Sequence, residues 1–322
     1  SFWEELVANA CATILSSSKN SLVRSYLLSE SSLFVWRDRI LLITCGQTTL
    51  IKAINFFKDK IGANNIEQLL FQRKNEYYSH MQSTTFFEDI ESLENNFNGK
   101  AFRMGTMDGH HNFLYHLDKE YTPLSDDHTY ELLIYDIRKS ASTLLTKEGL
   151  SIQEIRNFLG IDIILKDFQI DDFLFEPFGY SMNAISKDNY FTIHITPQEH
   201  GSYISFETDI DLPKYINHFL KVFCPGSFDF IEFNPDKKQG SLKLDIESYQ
   251  QKSMVEQKLD CGYTMGFSHY NKKEINKTKL YYPKAYDKYW FDNQPNLVGA
   301  EGTITKNCKK TKVLGNEISK YL

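Results

Sequence analysis

The sequence lacks the features that mark two large classes of protein. Its 322 residues carry 36 basic and 42 acidic side chains, for a net charge of −6, so it has no excess of positive charge with which to bind nucleic acid. It also lacks an apolar run near the ~20 residues that span a bilayer, since the run at 40–43 ends after four residues. We therefore expect neither nucleic acid nor a membrane among its partners.

Cysteine is scarce as well. The five cysteines, at positions 11, 45, 224, 261 and 308, are odd in number, and no two stand at Cys-x-x-Cys spacing. This pattern indicates neither a disulfide framework nor a zinc ribbon, and reduced thiols in a cytoplasmic protein are the plain interpretation. The helix-like stretch at 2–14 lacks a basic leading segment and carries Glu4 and Glu5, so it is not a secretory signal.

What the sequence does contain is typical of a folded globular protein. Hydrophobic residues make up 41% and charged residues 24% of the chain, and its length fits about two domains or one large one. Aromatic residues reach 14%, which favours a sheet-rich core because Phe and Tyr suit half-buried pleated surfaces.

Local patterns predict both helices and strands. Helical spacing of apolar residues predicts a helix over 50–61, another behind a capping box of Thr85 and Glu88, and a third that Asp211 caps before Pro213. Strands are predicted at 39–45, 102–107, 112–117, 190–196 and 202–208. The mixture indicates a layered α+β protein. We expect the tail from about Asn271 to be peripheral or partly ordered, and its lysine-rich run at 309–312 to be a solvated face or a flexible end.

Two residues stand out as candidates for chemistry. Alternation along 190–196 places His194 on one face with three hydroxyl-bearing residues, an arrangement that suits proton transfer near neutral pH, although a structural histidine is the competing interpretation. Cys45 ends an apolar strand, so its thiol either faces a cleft or is a small buried hydrophobe. Histidines 110, 111 and 116 lack a further ligand at recognised spacing, so no metal site is predicted.

A weak internal echo links these two candidates. Ser31 stands 14 residues before Cys45, and Ser181 stands 13 residues before His194, each pair enclosing a polar break and a strand-like run. The two units are either halves of a duplicated sandwich or a coincidence.

Three motifs in order resemble the signatures of eukaryotic-type S-adenosylmethionine decarboxylase proenzymes. The first is Tyr-Leu-Leu-Ser-Glu-Ser-Ser-Leu-Phe-Val at 26–35 with Thr-Cys-Gly at 44–46. The second is Pro-Phe-Gly-Tyr-Ser-Met-Asn at 177–183, and the third runs from Tyr-Phe-Thr-Ile-His-Ile-Thr-Pro at 190–197 to Ser-Tyr-Ile-Ser-Phe-Glu-Thr at 202–208. The resemblance covers one domain at 1–271, leaves a C-terminal tail of unknown role at 272–322, and implies a four-layer α/β–β/α sandwich with two antiparallel sheets flanked by helices.

The resemblance implies that the chain cuts itself between Glu30 and Ser31. The Ser31 hydroxyl attacks the preceding carbonyl, and elimination from the resulting ester gives a pyruvoyl group, the covalent cofactor, on the new N-terminus. Such a shift needs local strain and a group that stabilises the oxyanion. Ser181 and His194 match the family's processing residues, with His194 as the base, and Cys45 matches its proton donor. The pyruvoyl ketone forms a Schiff base with S-adenosylmethionine and accepts the electrons released with CO₂.

The resemblance also implies a substrate site. Phe175 matches one of two aromatics that stack on adenine, Leu28 and Glu30 match positions near the adenine, and Gln198 takes the place of a ribose-binding acid. The family's N-terminal Phe-Phe-Glu-Gly-x-Glu-Lys segment, which supplies the second aromatic, has no counterpart here. The sequence is therefore either a fragment or that of a protein that has lost half of its adenine clamp.

Some members of the family bind putrescine in an acidic pocket. Asp127, Thr129, Glu131 and Glu207 match its ligands, and paired carboxylates suit a diammonium ligand. The family's lysine that links this pocket to the active site aligns with Ile43, which leaves activation by putrescine open.

Two functions follow from the resemblance. The first is an enzyme that makes decarboxylated S-adenosylmethionine and CO₂ for spermidine and spermine synthesis, with a homodimer of processed units as a compatible assembly. The second is a catalytically inactive paralogue that binds and activates an authentic decarboxylase. Gln198 and Ile43 favour the second function, whereas the retention of Ser31, Cys45 and His194 opposes it.

Overall fold

Two eight-stranded antiparallel sheets, packed face to face, form the centre of the molecule. The computed structural model describes residues 1–46, 48–74, 82–197, 202–234, 244, 246–273 and the strand at 309–314. The first sheet, in the spatial order β1-β2-β3-β4-β16-β5-β7-β6, contains β1 (Ile14–Lys19), β2 (Val23–Leu28), β3 (Ser31–Trp36), β4 (Arg39–Thr44), β5 (Gln68–Lys74), β6 (Gly99–Gly105), β7 (His111–Leu117) and β16 (Lys309–Leu314).

The second sheet also has eight strands and contains the remaining strands of the described chain. In the spatial order β14-β15-β13-β8-β12-β11-β10-β9, it contains β8 (Thr129–Tyr135), β9 (Gln169–Leu174), β10 (Tyr180–Ser186), β11 (Asn189–Thr196), β12 (Tyr203–Thr208), β13 (Ser227–Asn234), β14 (Tyr249–Lys258) and β15 (Thr264–Lys272). Every hydrogen-bonded pair in both sheets is antiparallel.

Helices cover the outer face of each sheet. They are α1 (Phe2–Asn9), α2 (Leu50–Ile61), α3 (Phe86–Glu94), α4 (Lys139–Leu145), α5 (Ile152–Leu159), α6 (Ile161–Ile164) and α7 (Pro213–Phe223), with a 3₁₀ turn at Ala63–Asn65. Phe57 of α2 and Leu93 of α3 pack on the first sheet, and Phe219 of α7 packs on the second. No described helix combines the length and apolar character needed to cross a membrane.

Strand β3 shows how alternation builds the four layers. Leu33 and Val35 face the helices, whereas Phe34 and Trp36 face the second sheet, where they pack around Tyr190. Because successive side chains point to opposite faces of a strand, one strand contributes to two cores. The layers are helix, sheet, sheet and helix, so the predicted sandwich is confirmed.

The predicted helices at 50–61, behind Thr85 and before Pro225 are confirmed, and the capping box of Thr85 and Glu88 is present. Asp211 is not the N-cap of α7. Leu212 holds that position without a side-chain hydrogen bond, and Pro213, which has no N–H to satisfy, begins the helix. The helix-like stretch at 2–14 ends as a helix at Asn9, and β1 begins at Ile14.

The tail differs from the expectation of a peripheral segment, because β16 lies inside the first sheet. It pairs antiparallel with both β4 and β5, which therefore run in the same direction. The connection from β4 to β5 passes through α2, a crossover of the kind that parallel strands need. A strand between them satisfies the backbone N–H and C=O groups of two neighbours, so the lysine-rich run at 309–312 belongs to the sheet.

Candidate active site

The predicted cleavage site lies at the exit of a tight hairpin. Leu28 pairs with Ser31, so Ser29 and Glu30 alone form the turn between β2 and β3. Such two-residue turns favour Gly, Asn or Asp, and neither residue here is one of these. Ser31 has φ of +152°, a region that costs a residue other than glycine about 1–3 kcal/mol. The backbone is therefore strained next to the peptide bond that the sequence marks for cleavage.

Cys45 hydrogen-bonds to the carbonyl of that same peptide bond. The Glu30 carbonyl oxygen accepts from the backbone N–H of Cys45 at 2.9 Å and from its thiol at 2.9 Å. The Ser31 hydroxyl lies 3.6 Å from the same sulfur, because Ser31 pairs with Thr44 across β3 and β4. Two donors thus polarise the carbonyl that the Ser31 hydroxyl would attack.

Ser181 and His194 face each other across the hairpin of β10 and β11. They form a cross-strand pair, and the Ser181 hydroxyl lies 2.9 Å from His194 Nδ1. The other ring nitrogen, Nε2, lies 3.1 Å from the Ser32 hydroxyl and 3.0 Å from that of Thr192. Ser32 directly follows Ser31, so this contact ties the histidine of the second sheet to the cleavage site in the first.

A cavity opens in front of these groups. Glu30, Cys45, Ser181 and His194 line it together with Phe175. The structure thus brings together the predicted processing pair, the predicted proton donor and one predicted adenine-stacking ring.

Of the two remaining predicted binding residues, the structure describes one. The side chain of Leu28 is fully buried in the core beneath the helices of the first sheet, so it does not line the cavity. Gln198 lies outside the described residues.

Sequence reasoning assigned no role to three residues of this site. Phe178 lines the cavity together with Phe175. Ser32 and Asn183 are fully buried and hydrogen-bonded to each other at 2.6 Å. All three lie within the motifs quoted above, but their side-chain directions depend on how the two sheets meet.

Two of the four residues predicted to bind putrescine line a common cavity. Glu131 and Glu207 are directly opposite on β8 and β12, and the cavity that they line lies between the sheets. Thr129 begins β8 and is buried, whereas Asp127 lies in the preceding loop and accepts a hydrogen bond from Tyr263.

One of the side chains that line the cavity between the sheets, that of Lys74, is positively charged. Lys74 lines it with Ile43, and the Lys74 Nζ lies 4.7 Å from the centre of the Tyr203 ring. Glu207 accepts a hydrogen bond from Tyr190 at 2.8 Å, and burial, followed by the Glu207 charge, raises the pKa of Tyr190 well above its usual range. His194 lines both cavities, so it connects them.

A second cluster of titratable groups lies apart from these cavities. Asp229 accepts hydrogen bonds from His110 at 3.0 Å, His269 at 2.7 Å and Tyr135 at 2.7 Å. Burial opposes ionisation of Asp229, but the hydrogen bonds from the two histidines outweigh it and lower its pKa. Ligand atoms of His110, Asp229 and His269 are close enough to share a metal ion. The imidazole rings of His110 and His269 are stacked with their centres 4.0 Å apart. Each Nδ1 atom is directed at a different carboxylate oxygen of Asp229. This arrangement suits two hydrogen bonds better than one shared metal ion.

Comparison with known proteins agrees with the motifs. The model of the adenosylmethionine decarboxylase family matches residues 1–271. The chain is 32% identical over 293 residues to the S-adenosylmethionine decarboxylase proenzyme of Dictyostelium discoideum, a match that covers 85% of this chain and 77% of that protein. It is 36% identical over 256 residues to the proenzyme of Drosophila melanogaster, covering 70% of this chain and 72% of that protein.

A solved structure has the same fold. The crystal structure of the Trypanosoma brucei AdoMetDC-delta26 monomer matches with a TM-score of 0.59 and 26% sequence identity, over 75% of this chain and 99% of that one.

Proposed function

This chain belongs to the adenosylmethionine decarboxylase family, and on that premise we propose that it cuts its own backbone between Glu30 and Ser31 to make the group with which it works. Its reaction is the decarboxylation of S-adenosylmethionine, which gives CO₂ and the decarboxylated nucleoside that polyamine synthesis consumes. The observation that carries the proposed cleavage is the pair of hydrogen bonds from Cys45 to the Glu30 carbonyl, beside a strained Ser31.

The first step follows from the contacts of Ser31. Its hydroxyl oxygen bonds to the carbonyl carbon of Glu30, the C–N bond of the peptide breaks, and the hydroxyl proton ends on the Ser31 nitrogen. Negative charge develops on the Glu30 oxygen during the attack, where the N–H and thiol of Cys45 already donate. Relief of the positive φ at Ser31 offsets part of the cost of replacing an amide by an ester.

The second step needs a base beside Ser31. Removal of the Cα proton of Ser31 expels the Glu30 carboxylate, which becomes the C-terminus of the shorter chain. His194 lines the same cavity as Glu30 and Cys45, and its Nδ1 is hydrogen-bonded to Ser181. Histidine is the side chain that most often serves as a general base. Water then releases ammonia and leaves the pyruvoyl group at position 31.

The residues around Ser31 fit such a group and its substrate. The pyruvoyl ketone supplies an electron sink for the bond to the departing carboxylate. Cys45 lies within 3.6 Å of the Ser31 side-chain oxygen, so its thiol is placed to return a proton to the substrate α-carbon. The rings of Phe175 and Phe178 line the cavity, where they would stack on adenine and attract the sulfonium charge.

We also propose that Glu131 and Glu207 bind putrescine. Two buried carboxylates opposite each other suit one end of a diammonium ligand. The Lys74 ammonium in the same cavity already neutralises part of their charge, so we expect weak activation. The assay is the rate of cleavage with 0 and saturating putrescine, with butylamine as the monoamine control.

Two further proposals concern the cellular compartment and the assembly of the protein. The odd set of five cysteines without paired spacing fits reduced thiols in the cytoplasm. A homodimer of processed units is the proposed assembly, and sedimentation equilibrium of the purified protein tests it.

Mass spectrometry of the purified chain tests the cleavage. We expect two fragments that meet between Glu30 and Ser31, with a pyruvoyl group blocking the larger one, and release of labelled CO₂ from carboxyl-labelled S-adenosylmethionine. Ser31→Ala should leave one uncut and inactive chain. A wild-type protein that stays intact would instead support the inactive, activating paralogue, and cleavage of Ser31→Ala would show that the bond is another one.

A further inference from the structure

We propose that Asn183 is a positioning residue that holds His194 in the tautomer with its proton on Nε2 and its lone pair on Nδ1, the nitrogen beside Ser181. The inference deepens the proposed self-cleavage, in which His194 is the base, and rests on it. It comes from a proton count over one buried network that joins the two sheets.

The orientation of the Asn183 amide is fixed first. Its Nδ2 group donates to the backbone carbonyl of Tyr26 at 3.0 Å, across the interface between the sheets. A carbonyl oxygen only accepts hydrogen bonds, so the amide cannot be turned around. Since Asn183 is fully buried, this contact directs Oδ1 toward Ser32 and Thr192.

The hydroxyl protons follow from that orientation. Asn183 Oδ1 lies 2.6 Å from the Ser32 hydroxyl and 3.0 Å from the Thr192 hydroxyl. Oδ1 only accepts, and each hydroxyl carries a single proton. The two hydroxyl oxygens also lie 3.1 Å from each other, where either one could donate. With both hydroxyl protons on Oδ1 and a hydrogen on Nε2, the buried network has three protons for its contacts, whereas an unprotonated Nε2 leaves only two. The first arrangement satisfies more of the buried polar atoms, so it assigns both hydroxyl protons to Oδ1.

The tautomer of His194 is the remaining unknown. Both hydroxyl oxygens lie near Nε2, at 3.1 Å for Ser32 and 3.0 Å for Thr192. With their protons committed to Asn183, they present lone pairs to the ring, so Nε2 must carry the hydrogen. In the neutral ring Nδ1 is then unprotonated, and the Ser181 hydroxyl at 2.9 Å donates to it.

This arrangement matters because Nδ1 is hydrogen-bonded to Ser181, and Ser181 lines the cavity together with Glu30 and Cys45. A proton taken up at Nδ1 leaves the Nε2 hydrogen bonds unchanged, so the network need not rearrange. Without the Asn183 acceptor, the two hydroxyls are free to turn their protons toward Nε2, which favours a ring with hydrogen on Nδ1 and no basic nitrogen beside Ser181.

The direct test is ¹⁵N NMR of histidine-labelled precursor made uncleavable by Ser31→Ala, with the His194 signal assigned by comparison with a Ser31→Ala, His194→Gln chain. We expect hydrogen on Nε2 and none on Nδ1, and the reverse pattern when Asn183→Leu is added. A Ser31→Ala precursor with hydrogen on Nδ1 would overturn the proposal. This readout does not depend on whether the wild-type chain cleaves or decarboxylates.

The kinetic test uses the cleavable chain. We expect Asn183→Leu to lose about 10²-fold or more in the rate of completed processing, the size of a general-base contribution, and to accumulate the hydroxylamine-sensitive ester. Asn183→Asp keeps an acceptor oxygen and should stay within about 10-fold of wild type. Ser25→Ala, which removes a buried hydroxyl outside the network, is the matched control. Wild-type processing by the leucine variant, or its arrest as an intact peptide, would count against the proposal.

Discussion

The two hydrogen bonds from Cys45 to the Glu30 carbonyl predict how the chain responds to loss of the thiol. Loss of one strong oxyanion donor costs on the order of 10²–10³ in rate. A thiol is a weaker donor than an amide, and the Cys45 N–H stays 2.9 Å from the oxygen in any variant that keeps the backbone. We therefore expect Cys45→Ala to slow backbone cleavage by about 10–10²-fold without abolishing it.

The assay follows freshly translated precursor over time, with intact mass and gel electrophoresis used to count cut and uncut chains. Cys45→Ser replaces the thiol by a stronger donor and should cleave near the wild-type rate. Cys261→Ala removes another buried thiol, one whose burial raises its pKa to about 11, and should leave the rate unchanged. Cleavage of Cys45→Ala at the wild-type rate, in a chain that melts like wild type, would refute the reasoning.

Three further predictions concern stability. Burial raises the pKa of Asp209 to about 7, so the folded state loses stability as pH rises from about 4 to 7. In urea unfolding, Asp209→Asn should therefore raise the free energy of unfolding by up to about 4 kcal/mol at pH 8 and leave it unchanged below pH 4. The pKa of Asp229 is lowered, so its ionised form stabilises the folded state. Asp229→Asn should therefore lower the free energy of unfolding by about 3–5 kcal/mol at pH 7, and the difference should shrink as acid protonates the wild-type carboxylate. A chain ended at residue 308 loses β16 and leaves β4 and β5 without a shared partner, so we expect a lower unfolding midpoint and more aggregation in light scattering.

Periodicity was sufficient for much of the fold because it depends on neighbours in sequence. The helix at Leu50–Ile61 was predicted to the residue, since its apolar stripe and the following Gly62 are local signals. The face of β11 that carries Thr192 and His194 was also predicted, because side chains alternate along any strand. The alternation places His194 on one face of its strand but does not identify the residues that it contacts.

The partners of that histidine could not be predicted from local pattern. Ser32 and Asn183 are 151 residues apart, and Ser32 and His194 are 162 apart. Their contacts exist because β2 and β3 face β10 and β11 across the sandwich. The order of the motifs implies this packing but does not say which residues meet. The same limit applies to Asp229, whose histidine partners come from the loop before β7 and from β15. It also applies to β16, because local pattern at 309–314 does not identify its neighbours.

The echo between the two halves of the sequence acquires a physical meaning in the fold. Ser31 pairs with Thr44 beside Cys45 in one hairpin, and Ser181 pairs with His194 in another, on the facing sheet. Neither hairpin holds all the groups of the proposed cleavage, since the strained bond and the hydrogen-bond donors of Cys45 lie in the first and the proposed base, His194, lies in the second. We therefore expect the proposed cleavage to wait until both sheets have docked.

The fold also explains how the molecule would survive the proposed cut. The described fragment before the proposed break comprises α1, β1 and β2, and β2 pairs with β3 on the far side of that bond. Leu6, Val7 and Leu28 of this fragment are buried in the core shared with α2 and β4. Hydrophobic burial of this kind, together with a ladder of backbone hydrogen bonds, holds a strand in place without a covalent link. We therefore expect the proposed break to relieve strain at Ser31 while both ends stay in the sheet and the new terminus stays beside Cys45.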